Sequence, residues 1–176
     1  LRPAFSKNYQ IDYRYKSIGL SAQYSNENDV FAKFSPTINS ETNFITYSPN
    51  NLDQRETLTA IINFPINPTQ NWKIRYFTSL SYSEVRGIVD TREIDNSITS
   101  LRFNMNNDLN ITDSFTIQVV GFYQTKQNLN NGGFMRPMGK LDISLQQKIN
   151  ENVILTLNGT NLINTMKFRP MIDTPE

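Results

Sequence analysis

The amino-acid sequence predicts an all-β fold, in which about eight antiparallel strands form a segment of a transmembrane up-and-down β-barrel. Apolar and polar residues alternate with a period of two in about eight separate stretches, as expected for strands that turn one face towards lipid. The connections between these stretches alternate between short and long. Outer-membrane barrels show this asymmetry because their periplasmic turns are short and their extracellular loops are long.

The composition excludes a helical membrane protein. The chain has 176 residues, of which 38% are hydrophobic, and its mean hydropathy is −0.49. No apolar run approaches the roughly 18 residues that a membrane-spanning helix needs. A polar average is compatible with a membrane barrel, because only every second strand residue faces lipid while the lumen and the loops stay polar.

The sequence contains neither cysteine nor histidine. Their absence excludes disulfides, thiolate catalysis, cysteine-ligated zinc and the commonest general base. The formal charge is +1, and the basic residues are scattered rather than gathered into a phosphate-binding patch. We therefore expect no enzymatic activity, no catalytic residue, no metal site, no cofactor and no nucleic-acid partner.

The strands of the first half follow from alternation that begins at Tyr9. The predicted stretches are residues 9–15, 18–24, 58–64 and 72–82, and the alternation of the second resumes at Val30, Ala32 and Phe34, which predicts a long strand that rises beyond the membrane. The clearest is 72–82, where the apolar face contains Trp72, Ile74 and Leu80, and only Phe77 breaks the polar face. Its ten residue steps, at about 3.3 Å each and a tilt near 40°, span roughly 25 Å, the height of the apolar band of such barrels.

The second half repeats the pattern in residues 101–109, 115–123, 141–149 and 153–157. Val120 and Phe122 interrupt the polar face of the second of these stretches. The short connections lie near Lys16 and at 65–70, 110–114 and 150–152. The long ones are 26–56, 84–96, 126–137 and the tail from Asn164.

Aromatic residues lie at the ends of the predicted strands, where membrane barrels have interfacial girdles. Phe64, Trp72 and Phe115 flank short turns, whereas Tyr24, Tyr82 and Tyr123 lie towards the long loops. Packing inside a soluble β-sandwich would explain the aromatics of any single strand. The consistent loop asymmetry over the whole chain favours the membrane instead.

Two motifs resemble a known family. They are Leu1-Arg2-Pro3-Ala4-Phe5-Ser6-Lys7-Asn8-Tyr9, similar to a phrase L-R-P-x-x-S-x-N-Y, and Asn161-Leu162-Ile163-Asn164-Thr165, similar to N-x-x-N-T. Together with Leu141-Asp142-Ile143-Ser144 and the strand 72–82, they resemble the barrel of the TonB-dependent receptors and their outer-membrane relatives in Bacteroidetes. The resemblance covers nearly the whole chain.

The resemblance implies a barrel of about 22 strands with an N-terminal plug, in the bacterial outer membrane. Such a protein takes up a bulky ligand with energy relayed from the inner membrane. Residues 1–176 would then be a partial barrel domain, without the plug and without the final aromatic-ended strand. The implied partners are outer-membrane lipid, lipopolysaccharide, the plug domain, and other outer-membrane or lipoprotein subunits.

Charged residues on the predicted polar face are the candidates for ligand contact. The candidates in the strands are Arg14, Arg75, Arg102, Lys140 and Asp142. Pairing with one another or with a plug is the alternative role for these groups. The stretch 131–136 resembles a mobile loop tip, in which Phe134 and Arg136 could contact a ligand or lipopolysaccharide, with an ordinary flexible loop as the alternative.

Three other interpretations remain open at the level of the sequence. The chain could be a complete eight-stranded barrel, although its many polar-face charges would have to pair tightly in a narrow lumen. It could belong to an accessory barrel that only scaffolds a surface complex. A soluble ligand-binding barrel would instead turn its apolar faces inward.

Overall fold

The computed structural model describes residues 1–38, 41–42, 44–89, 92–129 and 133–171. The strands are β1 (Phe5–Tyr15), β2 (Ile18–Ile38), β3 (Ile45–Thr69), β4 (Trp72–Val89), β5 (Arg92–Asn110), β6 (Phe115–Gln124), β7 (Gln127–Asn128), β8 (Phe134–Met135), β9 (Met138–Lys148), β10 (Ile154–Gly159) and β11 (Pro170–Met171). Within the described ranges there is no helix of the length and apolarity required to cross a membrane.

Eight of these strands form one antiparallel sheet in the order β1-β2-β3-β4-β5-β6-β9-β10. A small second sheet has the order β11-β8-β7. Chain neighbours are sheet neighbours throughout the large sheet, except where the β7–β8 hairpin intervenes. This arrangement confirms the predicted all-β, up-and-down architecture of about eight strands. Within the described residues β1 and β10 each have one neighbour, so the sheet is open at both edges.

The register brings the polar faces of all eight strands to one side of the sheet. Residues directly opposite each other on adjacent strands share a face. One row on the apolar side contains Tyr9, Tyr24, Leu58 and Tyr82. A row on the other side contains Arg75, Asn106, Val120 and Asp142. We call these two sides the apolar face and the polar face.

The apolar face is open to its surroundings. Ile11 is 75% exposed and Leu157 is 66% exposed, at opposite edges of the sheet, and Leu58 and Leu80 between them are at least half exposed. Ile74 of β4, which is 6% exposed, is an exception on this face. An apolar surface of this extent is what lipid contact requires.

A row of tyrosines lies at the end of the apolar face nearest the predicted long loops, which we call the upper end. The hydroxyl of Tyr24 donates to Oε1 of Glu56 at 2.8 Å, and the hydroxyl of Tyr82 donates to Oε2 of Glu84 at 3.5 Å. Beyond this row the same face carries Arg86, which pairs with Glu84. The rings can therefore remain in hydrocarbon while their hydroxyls reach the polar interface, as predicted for a girdle.

Two of the predicted long loops differ from expectation. Most of 26–56 and 84–96 is strand. β2 continues to Ile38 and β3 begins at Ile45, while β4 ends at Val89 and β5 begins at Arg92. The alternation at Val30, Ala32 and Phe34 predicts this extension for β2. The remaining parts of both stretches were expected to be loops, because above the lipid both faces of a strand can be polar. The long connections are therefore projecting hairpins.

The β2–β3 hairpin bends over the polar face at its upper end. Asp29 has a φ of 53°, and pairing between β3 and β4 ends at Gln54 and Arg86. Beyond that point Leu52 lies over the polar face of β4, next to Gly87. A small core of buried side chains results, consisting of Val30, Ala32, Leu52 and Val85, with Ile94 packed against it.

Candidate functional site

The polar face contains a hollow of about 270 Å³ that crosses β3, β4 and β5. Four of its eight lining residues have short hydroxyl side chains, which we call the floor of the hollow. The hollow is lined by Thr59, Ile61, Phe77, Ser79, Ser81, Ser100, Arg102 and Gln127. The Thr59 and Ser81 hydroxyl oxygens lie 3.0 Å apart across the β3–β4 pair. The hollow exists because serine and threonine side chains are small and leave space that larger side chains would fill.

Arg102 supplies the positive charge of this hollow, as the sequence predicted for a polar-face residue. It is directly opposite Ser79 on β4 and opposite Gln124 on β6. Its Nη2 donates to Oε1 of Gln124 at 3.0 Å, and Gln124 is only 2% exposed. The guanidinium is thus held by a neutral, buried amide.

The β7–β8 hairpin lies on the polar face at the upper rim of the hollow. Ser100 donates its hydroxyl to the carbonyl of Lys126 at 2.6 Å, and Asn128 donates its side-chain amide to the carbonyl of Ser83 at 2.8 Å. The first residue of the hairpin, Gln127, lines the hollow itself. These contacts hold the hairpin over the face that carries the polar side chains.

The predicted loop tip 131–136 is structured in the part that can be described. Residues 131 and 132 lie outside the described ranges. Phe134 belongs to β8 and its ring lies 3.6 Å from Nζ of Lys126, and Met135 is 5% exposed. Arg136 is exposed, and its backbone amide donates to the carbonyl of Arg169 at 3.1 Å. Pairing with β11 and cation-π contact hold this segment against its neighbours.

Arg75 lies on the same face as Arg102 but nearer the short turns. Its Nη2 is 2.5 Å from Oδ2 of Asp108 on the neighbouring strand, and Gln118 donates to the other oxygen of Asp108 at 2.8 Å. The pairing interpretation therefore describes Arg75 well. Arg14 is close to the β1–β2 turn, opposite Gly19, and does not line the hollow.

Asp142, which pairs with Lys140, holds the N-x-x-N-T motif against the sheet. Nζ of Lys140 is 2.6 Å from Oδ2 of Asp142, and Oδ1 of Asp142 accepts the backbone amide of Asn161 at 2.8 Å. Asn161 and Asn164 both have a φ of 49°, and the amide of Asn164 donates to the carbonyl of Asn161 at 2.8 Å. Asparagine tolerates this left-handed conformation better than most residues, so the motif encodes a turn that Asp142 anchors to the sheet.

Replacing Asp142 by alanine should therefore loosen this turn. The change removes the acceptor of the Asn161 amide and leaves the Lys140 ammonium without its carboxylate, so the turn loses its side-chain link to β9. Hydrogen exchange should accelerate at the Asn161 and Asn164 amides. The matched control is Ser144→Ala on the same face of β9, where exchange at the turn should stay as in the unaltered protein. Unchanged exchange in D142A would contradict the anchoring role.

The L-R-P motif also has a structural role, at the bend of the β2–β3 hairpin. The backbone amide of Arg2 donates to Oδ1 of Asn51 at 2.7 Å, and its Nη1 is 3.3 Å from Oδ1 of Asp29. Further along, Ser25 donates to Oδ1 of Asn8 at 2.6 Å. The motif thus fastens the start of β1 to the bend at Asp29.

Three apolar residues interrupted the predicted polar face, and the structure brings them together. Phe77, Val120 and Phe122 line a second hollow of about 260 Å³ on the polar face, below the first. Phe77 and Phe122 lie on either side of Asn104 in one cross-strand row. Sequence reasoning identified each of them as an exception but had no register with which to join them.

Sequence reasoning also missed the hydroxyl groups of the first hollow. Thr59, Ser79, Ser81 and Ser100 are ordinary polar-face residues in the sequence, and only the register of three strands makes them neighbours. Among the described residues no three histidine, cysteine, aspartate or glutamate side chains are grouped so as to hold a metal ion. The chemistry available at this site is hydrogen bonding and charge.

The antiparallel sheet has an exposed apolar face and a polar opposite face, with short turns at one end and long hairpins at the other. These are the features of an outer-membrane β-barrel protein. Comparison with family models agrees, since residues 1–176 match the outer membrane protein beta-barrel family. The chain belongs to that family, and its location is the bacterial outer membrane. Comparisons with curated proteins and with solved structures gave no match.

Proposed function

We propose that this chain is part of a TonB-dependent-receptor-like transporter that takes up a bulky ligand across the outer membrane. The observation that carries the proposal is the open sheet, whose edge strands β1 and β10 each have a single neighbour among the described residues. In lipid every backbone amide and carbonyl needs a partner, so such edges have to be paired, and in the proposed receptor further strands pair with them. A barrel larger than eight strands has room for a plug and a bulky ligand.

The side chains of β1 support a larger barrel. Tyr13 is 59% exposed and Ile11 more so, and they have neighbours on the β2 side alone. Additional strands at both edges would cover these side chains partly and would extend the lipid-facing surface.

The polar face supports a ligand pathway rather than a filled core. Both hollows described above open on this face, and the β7–β8 hairpin narrows the space in front of it. A plug would find polar partners here, together with the apolar patch of Phe77, Val120 and Phe122. In the proposed transporter this face lines the lumen, and the role is non-enzymatic.

A cross-linking experiment tests the larger barrel against a complete eight-stranded one. Because the chain has no native cysteine, pairs can be introduced on the polar face at Gln10 or Asp12 of β1 and Thr156 or Asn158 of β10. We expect no disulfide in any of the four combinations, because the strands are not neighbours in a larger barrel. A control pair at Gln146 and Thr156, which are directly opposite, should cross-link.

The intact mass of the natural mature protein supplies the positive half of this test. A mass several times that of 176 residues, together with absent cross-links, agrees with the larger barrel. Cross-linking between β1 and β10 with the efficiency of the control pair would make the eight-stranded barrel correct.

Uptake measurements distinguish a transporter from an accessory barrel. Bacteria that lack the protein should fail to deplete a solute that the parent strain removes from its medium, and an uncoupler of the inner-membrane proton gradient should cause the same failure. Uptake that persists in the uncoupled parent strain would indicate a passive pore. Unchanged depletion of every solute after deletion would favour the accessory role in a surface complex.

A further inference from the structure

The hollow beneath the β7–β8 hairpin contains a cation without a carboxylate partner. Arg14 and Lys73 on the polar face also have no carboxylate within 4.0 Å among the described residues, but neither of them lines this hollow. Arg55, Arg75 and Lys140 occupy the same face, and each has a carboxylate partner, in Glu27, Asp108 and Asp142. Arg102 has no carboxylate within 4.0 Å among the residues that the structure describes and is instead bonded to Gln124. It is a fixed cation whose charge is not neutralised by a neighbouring side chain.

The groups around Arg102 are suited to complete the coordination of an anion. Ser79 is directly opposite Arg102 and Ser81 is opposite Ser100, so two serine hydroxyls of β4 lie beside the guanidinium on the floor of the hollow. A hydroxyl can donate to an anionic oxygen, and a guanidinium presents a planar fork that matches a carboxylate or a phosphate. Gln127 of the hairpin adds an amide from above.

We propose that this hollow binds an oxyanion group, a carboxylate or a phosphate, on a solute in the lumen. Arg102 provides the charge-assisted hydrogen bonds, and the hydroxyls of Ser79 and Ser81 donate to the remaining oxygen lone pairs. Phe77 and Ile61, which line the same hollow, contact the less polar part of the solute. The inference uses the lumenal orientation of the polar face but does not require transport, so binding without energised uptake would overturn the proposed function and leave this site intact.

The test measures binding to the complete natural protein, folded in detergent micelles. The probes are inorganic phosphate, followed by its ³¹P line width, and glucuronate, followed by saturation-transfer NMR, with glucose as the uncharged comparison. We expect phosphate, glucuronate or both to bind and glucose to bind at least about tenfold more weakly. Binding should also weaken as salt is added, because part of the interaction is screened.

Two arginine variants separate the site from general surface charge. Arg102→Gln should reduce anion binding about tenfold or more, whereas Arg75→Gln, which removes the same charge from the same face of the sheet, should change it less than about twofold. Arg102→Lys provides a second variant if R102Q does not fold, and it should retain phosphate better than glucuronate because lysine binds as a point charge. Each variant is first checked for the gel-mobility shift of a folded barrel.

The proposal is overturned if neither anion binds, if glucose binds as strongly as glucuronate, or if R75Q and R102Q lose binding equally. Binding of phosphate alone would identify a phosphate-bearing solute, and binding of glucuronate alone a carboxylate-bearing one. Either selective result supports an oxyanion site and assigns its source.

Discussion

Gly87→Ala should destabilise the upper part of the β2–β3 hairpin by about 1–3 kcal/mol, the usual cost of overpacking. A Cβ at Gly87 would be 2.8 Å from the amide nitrogen of Asp53 and 2.9 Å from Cα of Leu52. Both are backbone atoms, so no side-chain rotation relieves the contact and the hairpin itself must move. The movement would open the core that contains Val30 and Val85.

Hydrogen exchange measures this effect, since amides around residues 30–32 and 50–54 should exchange faster in G87A. The control is Gly19→Ala in β2, where the nearest atom would be the carbonyl oxygen of Asn63 at an ordinary 3.8 Å. That change should not destabilise the strand. The added Cβ makes an ordinary contact, and alanine loses less backbone freedom on folding than glycine does. Equal exchange in both variants would show that the hairpin does not press on Gly87.

Leu20→Arg should destabilise the folded barrel by about 2–4 kcal/mol, because a charge at this depth would face hydrocarbon. Leu20 lies on the apolar face between Tyr13 and Ile62 and is 42% exposed to the region assigned to lipid. The matched change Gln23→Arg places the same side chain on the polar face of the same strand. Its cost should stay within the roughly 0.5 kcal/mol that is usual for surface substitutions.

Guanidinium unfolding of the complete protein in lipid vesicles gives both free energies. A larger loss for Q23R than for L20R would reverse the assignment of the two faces, and with it the lumenal position of Arg102. Similar losses for both variants would mean that neither face meets lipid along β2.

The transmembrane part of the fold could be predicted from the sequence because lipid imposes a strict pattern on it. The alternation from Trp72 to Tyr82 identified β4 and the side of each residue, and the turn at 110–114 separates Asn110 from Phe115 as predicted. Of the projecting hairpins only the extension of β2 was predicted, from the alternation at Val30, Ala32 and Phe34. The β4–β5 hairpin and the upper part of β3 were expected to be loops, because water on both sides allows polar residues on both faces of a strand. Strands of two residues, such as β7, are too short to leave any pattern.

The candidate site was predicted in its charges but not in its contacts. Arg75 was placed on the polar face, yet its pairing with Asp108 depends on the β4–β5 register, which is set through a hairpin at the far end of the two strands. The hydroxyl groups near Arg102 depend on two such registers. Asp142 was singled out as a possible ligand contact, whereas its bond to the Asn161 amide joins residues 19 positions apart.

The small core around Leu52 and Val85 means that the two parts of one continuous sheet are stabilised in different surroundings, one in lipid and the other in water. Below the tyrosine row the strands are kept in place by hydrocarbon, and above it the bent hairpin depends on water expelled from a few aliphatic side chains. Urea and cooling both weaken the hydrophobic stabilisation of this hairpin. The projecting hairpin should therefore open at denaturant concentrations that leave the membrane-embedded strands intact, so that unfolding proceeds from the outside of the cell inward.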